Sequence, residues 1–350
     1  MANGPVILRG RAEVEAHAVL WGRVGWTSEQ AEHAYFLAEP GEPLALIEGD
    51  AALVGRVATR PLDLRFGYLR VPTPPLRILR VVDAVGDVGA LARLALREVD
   101  VVQTPALPVA SETYRSLAAL QPPRFIATWT RRRIVLPASF DAFLAGLGRK
   151  TRAGVRYDAK RLEAALDVRV EIVSEPDPSV VERLDEIART TYQRRLGAGF
   201  SRDRSAVLLT ALAHGWARVY LLWDGDTPVA FWWCGLHDTT IRTNTTGYLA
   251  SYAQHRPGIY LLMRVIEDAI ADPALEVLDF GPGRSGYKQR FANDGYDERN
   301  LLLFAPRPRA RLAHGLNDAV RVATTGARFV LDRTGATQRL KTAWRRRLRR

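Results

Sequence analysis

The sequence predicts a mixed α/β (α+β) fold, and three observations carry that reading. Short runs rich in Val, Ile, Leu and Thr alternate with stretches whose apolar residues recur at three and four. Proline and glycine clusters separate them as turns. From Val168 onward the order is strand, two helices, three strands, helix, strand, helix, strand, a pattern satisfied by a sheet flanked by helices.

In the first half, strands are expected at 43–49, 51–60, 76–85, 99–105 and 124–136, with helices at 11–21, 87–98 and 110–120. One long helix is expected from Ser139, a suitable N-cap after Pro137, to about Leu166. Phe140, Phe143, Leu144, Leu147 and Val155 form its apolar stripe. Arg149, Arg152, Arg156 and Lys160 recur at spacings of three, four and four, which places four cations on one face. That face reads either as solvated or as a wall for an anionic substrate.

A strand at 168–174 follows, then helices at 179–196 and about 202–214, and an antiparallel meander at 217–224, 228–237 and 240–248. The loop LASYAQHR enters a helix at 257–271, with Pro257 suited to its first turn. A strand at 275–281, a short helix within SGYKQRFA and a last strand at 299–305 complete the set. No sequence repeat links the two halves.

Composition narrows the function classes. Hydrophobic residues make up 47% and charged residues 25%, as in a folded globular protein. The single cysteine, Cys234, excludes an internal disulfide and a cysteine-rich zinc site, and its place in VAFWWCGL marks it as a small buried hydrophobe. The start of the chain lacks a secretory signature, and no apolar run approaches the ~20 residues of a membrane span. A cytoplasmic protein is therefore expected, with the inner membrane face as its one peripheral contact. The net charge of +12 is concentrated: thirteen basic residues follow Leu301 against Asp318 and Asp332 alone, leaving the body nearly neutral. A protein whose whole surface binds nucleic acid is thereby excluded. Residues 309–350 read as a basic amphipathic helix, packed to about Val330, whose last ten residues are suited to an anionic membrane surface. No GxSxG elbow and no metal-ligand spacing is present, so neither a serine hydrolase nor a bound metal is expected.

Two segments carry chemistry. The loop into the helix at Pro257 offers backbone N–H groups and the positive end of a helix dipole, a cradle for phosphate built by Arg256, Gly258, Ile259 and Tyr260. Thr246-Gly247-Tyr248 and Asp279-Phe280-Gly281 both fall at carboxyl ends of strands, where α/β sheets open their ligand crevices. Asp279 can orient or deprotonate an amine, or cap its own loop. His237 and His255 are alternative bases, and Lys288 can hold a phosphate or carboxylate.

The element order, with QHRPGIYLLMRVIEDAI and LDFGPGRSGYKQRFA, resembles the GNAT N-acetyltransferase superfamily over about Ala138 to Ala305. It looks closest to the CelD-like acetyltransferases of cellulose biosynthesis and, more distantly, to the FemAB peptidyltransferases. The resemblance implies tandem GNAT-like units, each a mixed, mostly antiparallel sheet flanked by helices. It places a degenerate N-terminal unit over 1–136, a catalytic unit over 137–306 and a basic helical tail over 307–350. It implies transfer of an acyl group, acetyl foremost, from a CoA thioester to an amine or hydroxyl of a small metabolite, sugar or envelope precursor. Thr246, Gly247, Tyr248, His255, Arg256, Gly258, Ile259 and Tyr260 would hold the donor. Tyr287 would act as acid beside the sulfur, with Asp279 and Lys288 as further catalytic groups, and Arg149, Arg152, Arg156 and Lys160 would meet the acceptor. Two positions depart from the superfamily loop: His255 stands where Arg or Gln is usual, and bulky Tyr260 where a small residue is usual. The FemAB likeness implies an alternative, peptidyl transfer with aminoacyl-tRNA as partner. A third reading is a non-catalytic adaptor that meets membrane or nucleic acid through its tail.

Overall fold

The computed structural model describes residues 4–66, 69–121, 128–191, 199–283 and 285–333. It falls into two compact units, one of residues 1–17, 41–128 and 299–350, the other of 18–40 and 129–298. The expected division at 136 and 306 is thus replaced by an interleaved one. Its cause is an exchange of strands: Trp129–Val135 joins the second sheet, while Leu302–Phe304 joins the first.

The first unit holds a sheet of strands Val6–Arg9, Glu42–Glu48, Ala51–Pro61, Pro75–Val85, Val101–Gln103 and Leu302–Phe304, adjacent in that order. All neighbours are antiparallel except Pro75–Val85 with Val101–Gln103, which helix Gly89–Glu98 joins as a parallel pair. Leu46, Leu53, Leu79, Leu91 and Leu117 are buried between this sheet and its helices. The tail helix, Pro308–Arg333, buries Ala310 and Ala313 against this unit. The membrane contact expected of residues 341–350 lies outside the described residues.

In the second unit, elements are labelled from Trp129 onward: β1 (Trp129–Val135), α1 (Phe140–Gly146), α2 (Arg149–Glu163), β2 (Val168–Val173), α3 (Pro178–Arg189), α4 (Ser205–Ala213), β3 (Ala217–Asp224), β4 (Thr227–His237), β5 (Thr240–Tyr248), α5 (Pro257–Ala271), β6 (Val277–Asp279), α6 (Gly286–Phe291) and β7 (Asp294–Arg299). The strands lie in the order β2-β3-β4-β5-β6-β1-β7. The single helix expected from Ser139 to Leu166 is two, because Leu147 and Gly148 turn extended between α1 and α2. Ser139 does cap α1, accepting from the Ala142 N–H at 3.1 Å. Asp177 caps α3, accepting from the Ser179 N–H, with Pro178 in the first turn. Strand β7 lies where no strand was expected, and the expected 299–305 strand shortens to Leu302–Phe304.

Strand β4 explains why VAFWWCGL is apolar at every position: it is buried on both faces. Ala230, Trp232 and Cys234 face a core closed by α1, α2 and α5, whereas Phe231 and Trp233 face one closed by α3, α4 and the helix His33–Ala38.

The two sheets repeat one device. In the second, β5 and β6 are parallel and pair only at Thr240–Val277, Ile241–Leu278 and Arg242–Asp279. Strand β5 then runs on to Tyr248 without that neighbour. Just past the paired stretch it carries a bulge, since Trp233 opposes Thr245 while Cys234 opposes Thr243, leaving Asn244 as the extra residue. In the first, Pro75–Val85 pairs in parallel from Ile78 to Arg80 and bulges at Val82, since Val54 opposes Asp83 while Gly55 opposes Val81. In both, the extra residue follows the first parallel pair at the same offset.

Candidate active site

Two parallel strands that pair for three residues and then part leave one edge of β5 unpaired from Asn244 to Tyr248. Strand amides alternate in direction, so every second N–H of that stretch points into the parting. On the far side the chain leaves β6 through Phe280, Gly281, Pro282 and Gly283. Gly281 adopts φ +67°, and a Cβ there would stand 3.2 Å from the Thr243 carbonyl oxygen, so only glycine fits where the strands begin to separate.

The residues expected to hold a donor are brought together, with different tasks. Gly247 is buried: a Cβ would come within 2.7 Å of the Phe231 ring and 3.1 Å of the Thr191 methyl. Thr246 spends its hydroxyl on the Phe231 carbonyl at 2.8 Å. Tyr248 is exposed, and its ring covers Gly258. The loop then reaches α5 through Arg256, a non-glycine residue at φ +54°. The Arg256 carbonyl accepts from both the Ile259 and Tyr260 N–H groups, at 3.0 and 3.2 Å. The expected cradle therefore narrows to the Gly258 N–H, since Pro257 has none. Trp232 fixes that turn by donating from Nε1 to the Gly258 carbonyl at 3.1 Å.

The Arg256 guanidinium is turned to Asp158 at 2.9 Å. Tyr260 points to α2, donating to Glu163 at 2.9 Å, so its bulk stays out of the parting. His255 is half-buried, with no partner for its Nδ1 among the described residues. His237 donates from Nε2 to the Trp26 carbonyl at 2.9 Å, which turns its Nδ1 toward Glu32 at 3.7 Å.

Tyr287, on α6, packs edge-on against Trp232 and Phe280, with ring centroids 6.1 and 5.8 Å away. Trp232 belongs to β4, the neighbour of β5, and Phe280 follows β6, so the Tyr287 ring packs on residues from both strand pairs. Burial pushes the phenol up to about 12, so it remains protonated at neutral pH. Lys288 points inward instead, donating to the Gly281 and Pro282 carbonyls at 3.1 and 2.7 Å. Burial and then the Arg131 charge push its ammonium down to about 8, against the pull of Asp279 and Glu298. Its contacts make it a staple for the glycine loop rather than a phosphate ligand.

Asp279 is likewise committed. Its carboxylate, 8% exposed, accepts from Arg131 in bidentate fashion at 2.7 to 2.9 Å and from the Gly281 N–H at 2.8 Å. Burial favours the neutral acid, but the Arg131 charge outweighs it and holds the group below the ordinary carboxylate range. A base needs a lone pair and a reachable pKa, and Asp279 offers neither. Around it runs a chain of charges that sequence reasoning missed. Arg131 also meets Glu298, fully buried, at 3.3 Å. Arg242 meets Glu29 at 3.1 Å, and Asn244, the bulged residue, donates to Glu29 at 3.2 Å. Glu29 is 1% exposed, and its carboxylate occupies the space where Gly235 lacks a side chain. The one advance signal was the charge inside TWTRRRIVL and TIRTNTTGY, polar residues in strands that are otherwise core. Glu29 gave none.

Of the four cations expected to meet an acceptor, Arg152 caps α1 by donating to the Ala145 carbonyl at 3.3 Å. Arg149, Arg156 and Lys160 are exposed on α2. Cys234 is fully buried, and burial drives its thiol far above the ordinary range, so it is inert. Among the described residues no cluster of metal ligands is present, and no helix is long and apolar enough to cross a membrane.

In the first unit the matching helix start is filled by its own side chain. Asp87 accepts from the Gly89 N–H at 3.0 Å, placing a carboxylate where an anion would otherwise bind.

Two solved structures share the fold across most of the chain. One is the C-terminal domain of a protein described as a lysylphosphatidylglycerol synthetase from Agrobacterium fabrum: TM-score 0.55, 13% identity, 88% of this chain and 96% of that one. The other is FemX, with TM-score 0.52, 12% identity, 87% of this chain and 98% of that one. No curated protein matches the chain closely enough to count as a relative. Residues 149–289 are similar to the family described as the acetyltransferase (GNAT) domain, and the parting between β5 and β6, the turn into α5 and Tyr287 all lie within that matched segment.

Proposed function

We propose that this protein is an acyltransferase that holds an acyl thioester, foremost an acyl-CoA, in the parting between β5 and β6 and passes the acyl group to an amine or hydroxyl. The observation that carries the reading is the pair of parallel strands that separate just after Arg242–Asp279, with a bulge at Asn244 and a helix start beyond it. A thioester laid along β5 meets inward-pointing amides, with the Gly258 N–H beyond them for a phosphate. The acceptor nitrogen attacks the carbonyl carbon, the C–N bond forms, and an N–H of the Asn244–Tyr248 stretch receives the developing oxyanion. As the C–S bond breaks, the Tyr287 phenol gives its proton to the sulfur, and the proton of the new ammonium restores the phenol. Asp279, Arg131 and Lys288 act as positioning residues that fix the glycine loop. The acceptor we assign is a small metabolite, sugar or envelope precursor, and the segments around His255 and Asp279 favour the CelD-like branch.

Titration calorimetry with acetyl-CoA and longer acyl-CoAs tests this. Saturable binding of at least one supports the reading, and no heat from any chain length removes it.

The narrow cradle favours a second reading. With Arg256 turned to Asp158 and Tyr248 over Gly258, few donors remain for a pyrophosphate. An aminoacyl ester carried by tRNA, as the FemAB likeness implies, would need none there. That reading requires binding of charged tRNA that weakens steeply with salt. Salt-insensitive or absent binding counts against it.

A further inference from the structure

On the side of α5 that faces α1 and α2, these three helices line a partly open cavity of about 140 Å³. Leu144, Val155, Ala159, Ile259 and Met263 supply apolar walls. An apolar cavity of about 150 Å³ accepts a benzene-sized guest, so this one accommodates about six carbon atoms. The charges at its edge are unequally matched. Asp158 is neutralised by Arg256 at 2.9 Å, and Arg264 by Glu267 at 2.5 Å. Arg156 lines the same cavity, is exposed, and has no ion-pair or hydrogen-bond partner among the described residues. An apolar slot bordered by one uncompensated guanidinium is complementary to an amphiphilic anion.

We propose that this cavity is a second ligand site, distinct from the acyl-donor parting, that takes a chain of about six carbons with its carboxylate or phosphate on Arg156. The site does not depend on the transferase reading, because the steps written there use the β5 edge, the Gly258 N–H and Tyr287, none of which lines this cavity. Its two halves separate: the walls set chain length, and Arg156 sets charge. At about 0.8 kcal/mol per buried methylene, each methylene removed weakens binding about fourfold.

The chain supplies its own reporter, since it has two methionines, Met1 and Met263, and Met263 lines the cavity at 5% exposure. With 13C-methyl methionine in the full-length protein, hexanoate should shift the Met263 resonance saturably while Met1 stays still. Butyrate should bind roughly fifteenfold more weakly. Arg156→Gln should weaken hexanoate about fivefold and leave hexanol unchanged, whereas Val155→Phe, checked for folding by circular dichroism, should abolish both responses. Hexanoate and dihexanoylphosphatidylglycerol below its micelle concentration carry the same chain behind different anions. A response to the free acid alone assigns a free carboxylate as source, and a response to the phospholipid alone assigns a lipid. A Met263 signal unmoved by both, or an equal response to hexanol and hexanoate that Arg156→Gln leaves unaltered, overturns the proposal.

Discussion

Replacing Arg131 by methionine isolates the charge that holds the candidate site in shape. Arg131 neutralises two carboxylates, Asp279 at 8% and Glu298 at 0% exposure. Methionine keeps the apolar stem and removes the cation, leaving both acids buried. Breaking a buried pair from one side costs about 3–5 kcal/mol. Here Asp279 keeps Arg242 at 3.6 Å and the Gly281 N–H, and Glu298 keeps the Trp129 Nε1 donor at 2.5 Å. The lower end, about 3 kcal/mol, is therefore expected, a fall in Tm of about 6–12 °C for a unit of this size. The sign of the pH dependence follows from the same contacts. Asp279 is held below its unfolded value in the native protein, so its contribution is present above that value and is lost as pH falls through the lower native one. Without Arg131, burial is opposed only by Arg242 and the Gly281 N–H, so the Asp279 carboxyl moves up from its native value. The deficit of the variant should thus be greatest near pH 7 and shrink in acid, where Asp279 takes up a proton. Arg131→Lys should fall between the two, since it keeps charge but loses the bidentate fork. Thermal unfolding from pH 4 to 7 measures all three proteins. A deficit under about 1 kcal/mol, or one that does not change with pH, refutes the reasoning.

Further outcomes follow from single contacts. Lys288 has an ammonium near 8 in place of the ordinary 10.5, so between these values the unfolded chain binds a proton that the native protein lacks. Native stability should rise with pH through that window, and Lys288→Met should flatten the rise in a pH series of denaturant melts. Gly247→Ala forces a methyl against Phe231 and Thr191 and should destabilise by about 1–3 kcal/mol in the same assay. Tyr287→Phe keeps both ring contacts and removes the proton donor, so kcat for acyl transfer should fall about 10²-fold or more with KM for the donor little changed. An unaltered kcat would remove Tyr287 from the chemistry.

Where periodicity is regular, sequence reading located elements closely. The meander and the helix after Pro257 fall where alternation and capping placed them, because each buries a face of fixed period. The helix expected from Ser139 to Leu166 is broken at Leu147 and Gly148, which both turn extended within an otherwise continuous stripe. Strand β7 was invisible because DGYDER carries Asp294, Tyr296 and Glu298 toward the charged face, leaving no apolar alternation. The tandem architecture also has no echo in residue identities. The bulges at Val82 and Asn244 share topology, and a bulge is a matter of backbone pairing. At the site, sequence placed Thr246–Tyr248, Gly258, Asp279 and Tyr287 in one region and offered loop capping as one role of Asp279, which the Gly281 N–H bond matches, but it gave no sign of the Arg131 pair or of the loop contacts of Lys288. Their partners, Arg131 and the carbonyls of the glycine loop, are set by strand exchange and tertiary turns that no local pattern encodes.

Hydrogen exchange of the free protein against the protein saturated with acetyl-CoA addresses the parted strands most directly. Amides of Asn244–Tyr248 and the loop from Gly281 to Gly286 should slow together, while those of Ala51–Pro61 in the first unit keep their rates. Protection confined to other segments, with the β5 edge exchanging as before, would contradict a donor seated between β5 and β6.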